Sequence, residues 1–408
     1  MTSRLSPDAR RLVAGQAVRG FGYGFTSVVL GALLAARHLD TIEVGLLLAL
    51  LIAGSAIASL VVGAVGDRVG RRRSYGLFFL AVAIAGVVVG LNPPLVVLIV
   101  VALTGTLSTD VVDNGAATTL EQVMLASDDA GTGHVYGWYN AWGATSGALG
   151  ALGAALVGLS RPHAPVHADL FFLLVPVGLV GAILATRLSA GVEAASATRR
   201  LARTRRSRAV RDLALLFSVD AGAGGLVTTG FLSYYLTERY HASLSQVGAL
   251  FFAVSLVQAV SVLLAPLIAR RFGLVATMVG THLPSNVLLA LIAFAPGFAI
   301  AATMLLLRTT VSQMDVPTRQ ALVMSIVPPA ERTDAAAVTN AARYAARPAA
   351  PLVAGALQQI ALGAPLLAAG AVKAGYDVAL WQWARRKSLV TSVRASLAPR
   401  SGAEREET

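Results

Sequence analysis

Apolar runs of about 20 residues, each long enough to cross a bilayer as a helix, recur twelve times along the chain. They fall at roughly 11–36, 42–65, 74–91, 95–120, 133–159, 168–187, 212–237, 245–269, 274–294, 298–326, 335–360 and 364–384. A membrane barrel would instead show segments of about 10 residues with strict alternation. The pattern predicts an all-α polytopic membrane protein of twelve transmembrane helices. One long polar interruption, 188–211, is basic and aperiodic and divides the chain into residues 1–187 and 212–384, six spans each. A tail follows at 385–408, basic and then acidic.

The connection between spans 2 and 3 carries the most specific pattern. Gly63-Ala64-Val65-Gly66-Asp67-Arg68-Val69-Gly70-Arg71-Arg72-Arg73 sets five charges within seven positions, with glycines where a tight turn needs them. This Gly-x-x-x-Asp-Arg-x-Gly-Arg-Arg-Arg order resembles the loop between helices 2 and 3 of major facilitator superfamily transporters. The resemblance implies a conformational gate here: Gly63, Asp67, Arg68, Gly70 and Arg71, with Asp67 meeting positive groups of the other half near Arg332, the Thr333-Asp334 helix start, or Arg343.

The two halves repeat one another. Glu43-Val44-Gly45 and Arg68-Val69-Gly70 return 203 positions later as Gln246-Val247-Gly248 and Arg271-Phe272-Gly273. At a nearby offset Glu121-Gln122 matches Arg319-Gln320, and Tyr139-Asn140 matches Thr339-Asn340. Parallel six-helix repeats are what the superfamily's fold requires, with a substrate site between them near the midplane. Within the superfamily, Glu121-Gln122, His282-Leu283-Pro284-Ser285-Asn286 and the span-10 stretch Ser312-Gln313-Met314-Asp315-Val316-Pro317-Thr318-Arg319-Gln320 resemble one poorly characterised prokaryotic branch. That resemblance implies no particular substrate.

Composition narrows the function classes. Hydrophobic residues make up 56% of 408 and charged residues 13%, against about 25% charged in a soluble domain. The net charge of +12 would suggest nucleic acid, but arginine placement explains it better. Arginines crowd the connections after spans 2, 6 and 8, whereas those after spans 3, 9 and 11 hold no Lys or Arg. By the positive-inside rule both termini are expected in the cytoplasm, in a cell (inner) membrane, with no nucleic-acid partner. The chain has no cysteine, which removes disulfides and thiolate metal sites. The glycine clusters at 20–24 and 222–225 lie inside apolar spans, so no phosphate-binding loop is implied. His163 and His167 have Pro165 between them, against a helical metal pair. No metal, cofactor or enzyme activity is expected, and a monomer is expected to be the working unit.

Charge inside the hydrocarbon points to function, since each such residue costs about 2.5–3.5 kcal/mol on insertion scales. By position these are Arg19 in span 1, Asp110 and Asp113 in span 4, Asp220 in span 7, and Arg308 and Asp315 in span 10. The resemblance implies that these four spans line the central cavity, so the six residues are candidate substrate and proton-coupling groups. Asp110 and Arg308 occupy equivalent places in the two repeats and are expected to face one another. Asp113 shares a helical face with Asp110. Asp220, beside Gly222, Gly224 and Gly225, is expected to have room around it and to carry the proton. Glu121 and Asp315 are read as lying near the cytoplasmic ends of their spans, and His282 as a packed residue. Gly143, Gly147, Gly150 and Gly153 in span 5 are expected to pack at the interface of the halves, as the superfamily's fifth and eleventh helices do.

These expectations combine into a secondary active transporter moving a small solute by alternating access, with proton-coupled efflux as the leading form. The alternatives are proton- or sodium-coupled uptake of an organic anion or zwitterion bound by Arg19 and Arg308, and a non-transporting receptor or lipid-handling protein.

Overall fold

A computed structural model describes residues 5–108, 115–125, 132–161, 166–193, 208–328 and 331–387. Among the described residues there are sixteen α-helices and no strand: α1 Pro7–Ala36, α2 Thr41–Val69, α3 Arg71–Gly90, α4 Leu95–Leu103, α5 Ala116–Leu125, α6 Thr132–Ser160, α7 Leu174–Thr186, α8 Arg208–Gly225, α9 Thr229–Tyr240, α10 Leu244–Phe272, α11 Leu274–Ile292, α12 Phe298–Ser312, α13 Asp315–Ser325, α14 Arg332–Ala346, α15 Ala350–Ile360 and α16 Ala364–Arg386. All twelve expected spans are present. Eight stretches are by themselves long and apolar enough to cross a membrane. Spans 4, 7, 10 and 11 are each broken into two helices: α4/α5, α8/α9, α12/α13 and α14/α15. After the stretch that is not described, α8 begins at Arg208, and the last helix runs on to Arg386.

Three of the four breaks have a local cause. In span 4, Gly105 takes φ +69° and lies against the Gly54 carbonyl, and Tyr23 donates to the Thr106 carbonyl at 3.0 Å. Span 7 breaks immediately after Gly224-Gly225, and Thr228 restarts it by capping Phe231 N–H. Span 11 breaks around Pro348, which has no N–H to give the helix. Uncoupled helix pieces can swing about such points, which an unbroken helix cannot do.

The repeat seen in the sequence is reproduced in the backbone. α2 and α10 are both 29 residues long and both begin with a capping box, Asp40 with Glu43 and Ser243 with Gln246. Both end on a glycine in the left-handed half of backbone space, Gly70 at φ +97° and Gly273 at φ +89°, where a side chain would be strained. Leu60 and Leu263, at equivalent places in the two helices, are 75% and 74% exposed.

Glycines set how the helices approach, though not where they were expected to. Gly143 meets Gly20, Gly147 meets Gly24, and Gly150 meets the Phe21 backbone, while Gly153 faces the Phe21 and Phe25 rings. These four therefore seat α6 on α1 of the same half. A neighbouring set on α6, Ala151, Ala155 and Gly158, makes the contact across the halves, against Gly248 and Ser245 of α10.

Among the described residues, the close contacts between the halves gather at one end. Gly45 of α2 packs on Pro351 and Gly355 of α15, and Gly31 of α1 packs on Gly230, Ser233 and Tyr234 of α9. Ser233 also donates to the Val28 carbonyl across the seam at 2.7 Å. These contacts lie at the end away from the arginine-rich loops. At the arginine end a side chain added at Gly63 or Gly273 would meet nothing within 4 Å. The apolar core follows the same division. One cluster joins the first half to α9, α15 and the near parts of α10 and α12, while a separate one holds Leu213, Phe217, Met278, Leu322 and Leu380 at the arginine end of the second half.

Candidate functional site

Two clusters of buried polar groups sit where the broken spans meet the unbroken ones. In the first half, Arg19 of α1 and Glu121 of α5 form an ion pair at 2.8 Å, 1% and 0% exposed. Glu121 also accepts from the hydroxyls of Tyr75 and Tyr139, each at 2.5 Å. The same Arg19 nitrogen reaches Thr118 at 2.9 Å and bonds to Gln16 one turn back on α1. The guanidinium stands over the Tyr23 ring, 5.6 Å from its centroid. Burying both charges requires this degree of satisfaction.

The second half repeats the arrangement with the signs reversed. Asp220 of α8 occupies the span-7 counterpart of Arg19, and Arg319 of α13 the counterpart of Glu121. Arg319 lies 3.9 Å from Asp220 and over the Phe217 ring, and it donates twice to Asp315 one turn away, at 3.0 and 2.7 Å. The nearest group to Asp220 is Lys373 of α16, Nζ to Oδ1 at 2.5 Å. His282 of α11 places Nε2 3.7 Å from Asp220 and Nδ1 2.8 Å from Asp377 of α16. Asn286, one turn further on α11, donates to the other oxygen of Asp377 at 2.8 Å. Imidazole bracketed by two carboxylates can carry a proton on either nitrogen.

The expected site residues divide accordingly. Arg19, Asp220 and Asp315 are all buried in these clusters. Arg19 is committed to Glu121 rather than open to a substrate carboxylate. Asp220 is not the uncrowded carboxylate expected beside three glycines, because Lys373 fills that space. Glu121, read as near the cytoplasmic end of its span, is instead fully enclosed by α1, α3 and α6. Asp110 and Asp113 lie outside the described residues, so the Asp110–Arg308 pairing has no geometry here. Arg308 is half-buried and forms no ion pair among the described residues; its Nε is shut off from solvent without a hydrogen-bond partner.

The gate residues are also divided. Gly63 stands clear of any neighbour, and Arg68 is exposed. Gly70 and Arg71 contact the start of the linker: Glu193 accepts from the backbone N–H of Arg71 at 2.7 Å and of Arg72 at 3.0 Å, capping α3 with a carboxylate. Arg72 reaches the Thr186 carbonyl at 3.2 Å. The side chain of Asp67 and those of residues 332–334 lie outside the described residues. Arg343 lies well along α14 with the second-half cluster, in electrostatic range of Arg319, Asp220 and Asp315, and not at the loop. Sequence reasoning missed Lys373, Asp377, Tyr75 and Tyr139 altogether. A signal existed for the first two, as Lys373 and Asp377 sit one turn apart in an apolar span.

Among the described residues, two sets of membrane-length helices meet at one face and carry buried charges near the helix breaks. Residues 12–383 match the Major Facilitator Superfamily, and the chain belongs to that family. The uncharacterized membrane protein YJR124C of Saccharomyces cerevisiae is 25% identical over 394 residues, spanning 86% of this chain and 88% of its own. Among solved structures, the nucleoside transporter NupG superposes with a TM-score of 0.72 at 13% identity, covering 95% of this chain and 100% of its own. A bacterial homologue of the iron transporter ferroportin, in an inward-facing state, gives a TM-score of 0.70 at 17% identity, over 93% and 99% of the two chains. At these identities the likeness to the solved structures is one of fold. The protein is a multi-pass membrane protein from a family of secondary transporters.

Proposed function

We propose that the protein is a proton-coupled secondary transporter in which making and breaking the Asp220–Lys373 pair links proton movement to the swing between open states. The observation carrying this reading is the placement of that pair. Asp220 lies near the end of α8, just before the span-7 break, while Lys373 lies in the middle of α16, which is unbroken. A swing of α8 about residues 226–228 therefore changes the distance between them. With the pair closed, Asp220 is held as a carboxylate. With it open, the buried carboxylate loses its nearest cation, keeping only Arg319 at 3.9 Å and His282 at 3.7 Å, and proton uptake becomes easier. His282, 3.7 Å from Asp220, supplies a relay position between Asp220 and Asp377.

Each proton moved down 100 mV supplies about 2.3 kcal/mol, enough for a roughly fifty-fold solute gradient per charge. The seal at one end and the opening on the arginine side support a state facing the cytoplasm, with both termini on that side. Proteoliposomes loaded with candidate solutes and given an imposed pH gradient test the reading. Solute flux that follows the gradient supports it, and the sign of the effective gradient gives export or import. Flux that responds to sodium and ignores pH would replace the proton. Absence of flux for every solute tested, with ligand binding intact, would favour a receptor.

A further inference from the structure

Arg308 of α12 and Arg343 of α14 are half-buried cations of the second half that have no acceptor among the described residues. Each is in electrostatic range of Asp220, one from the sealed side of the span-10 break and the other from the open side of the span-11 break. In each the Nε is closed off from solvent and has no hydrogen-bond partner, and among the described residues neither forms an ion pair. Among the described residues, the nearby carboxylates are already engaged. Asp220 holds Lys373, Asp315 holds Arg319 by both oxygens, and Asp377 holds His282 and Asn286. Three acidic groups against Lys373 and three arginines leave the cluster one positive charge in excess while His282 is neutral.

Arginine does not relieve this by losing its proton. A buried unpaired charge is among the more unfavourable features a protein can carry, and the guanidinium fork matches the planar face of a carboxylate or the oxygens of a phosphate. We propose, building on the transporter reading, that the solute is an organic anion whose carboxylate or phosphate group is bound by Arg308 and Arg343. A neutral solute would leave both guanidiniums uncompensated, and a cation would add to the excess. Arg19 takes no part, since Glu121 already neutralises it. Lys373 takes part only indirectly: an anion drawing on Arg308 and Arg343 weakens their hold on Asp220 and so favours its reprotonation.

The test uses full-length protein in nanodiscs and needs no knowledge of the natural solute. Apparent melting temperature is followed against sodium benzoate and sodium phosphate, with sodium chloride at equal ionic strength as reference. At least one oxyanion is expected to raise it saturably in the wild type. Arg308→Gln and Arg343→Gln are each expected to weaken that midpoint by about ten- to a hundredfold, the loss of one charge-assisted hydrogen bond. Without added oxyanion neither variant should melt below the wild type, because each removes a charge that had no partner. An oxyanion response equal to that of chloride, or one unchanged in both variants, overturns the proposal. So does a fall in melting temperature without oxyanion, which would mean the arginine has a partner in the protein. Asp110→Asn addresses the acidic residue expected opposite Arg308: a response kept or strengthened supports the solute as the acceptor, and a lost response overturns it. Failure of the transporter reading looks different, as saturable oxyanion binding with no flux. Flux of neutral solutes that ignores Arg308→Gln sinks the anion site and leaves transport standing.

Discussion

Replacing Glu121 by Gln should leave the first-half cluster with its shape and without its charge balance. The glutamate accepts from Arg19 at 2.8 Å and from two tyrosine hydroxyls at 2.5 Å. Glutamine can keep contacts with the tyrosines, accepting from one and donating to the other. It cannot neutralise an arginine that is 1% exposed. Removing one partner of a buried pair costs about 3–5 kcal/mol, since the other charge stays in low dielectric. Arg19→Gln should be somewhat milder, because Tyr75 and Tyr139 still donate to the carboxylate. The double variant removes both charges and should recover much of the loss, with a coupling of up to about 3 kcal/mol. Heating in detergent followed by fluorescence-detected size exclusion ranks the four proteins. The expected order is wild type, then the double variant, then Arg19→Gln, then Glu121→Gln. A double variant as unstable as the two single losses combined would mean the residues act independently, and the pairing argument would fail.

Three further outcomes follow from the seam and the gate, and the absence of native cysteine makes any introduced thiol the single one present. Gly45→Val places a side chain where even a Cβ would lie 2.6 Å from the Pro351 carbonyl, so it should part the sealed end and increase labelling of Ser233→Cys by an impermeant maleimide added outside; unchanged labelling would show that the seal lies elsewhere. Asp67→Asn should lower the same labelling by releasing the brace expected in the outward-open state, and equal labelling with normal flux would reduce Asp67 to a loop residue. Glu193→Gln should weaken the cap on α3 by about 0.5–2 kcal/mol and speed tryptic cleavage at the linker arginines, while a cleavage rate like the wild type's would show that the cap does not anchor the linker.

The spans were legible because about 20 apolar residues in a row have few other uses, and the repeat was legible because capping and turn residues recur at a fixed offset. Breaks were partly legible. Gly222, Gly224 and Gly225 mark span 7, Pro348 marks span 11 and Gly105 marks span 4, but a lone glycine in an apolar run does not by itself announce a break. Arg19, Asp220 and Asp315 are buried, but their partners are not legible in the sequence. Arg19 and Glu121 are 102 positions apart, and Asp220 and Lys373 are 153 apart. A single sequence contains no record of which distant residues meet. Glu121 lies in α5, and its enclosure by Arg19, Tyr75 and Tyr139 depends on three other helices that span 4 alone does not reveal. His282 was taken as packed because its partner Asp377 lies in the last span, where charges drew less weight than in spans 1, 4, 7 and 10.

The most direct test of proton coupling is Asp220→Asn in proteoliposomes, measuring pH-driven accumulation and solute counterflow on the same preparation. Asparagine keeps the size and a hydrogen bond to Lys373 but cannot carry a proton. Counterflow requires only that the loaded carrier swing, so it should persist, while accumulation driven by a pH difference should be lost. Accumulation against a gradient on a pH difference alone, in protein lacking the Asp220 carboxylate, would contradict the assignment of Asp220 as the coupling group.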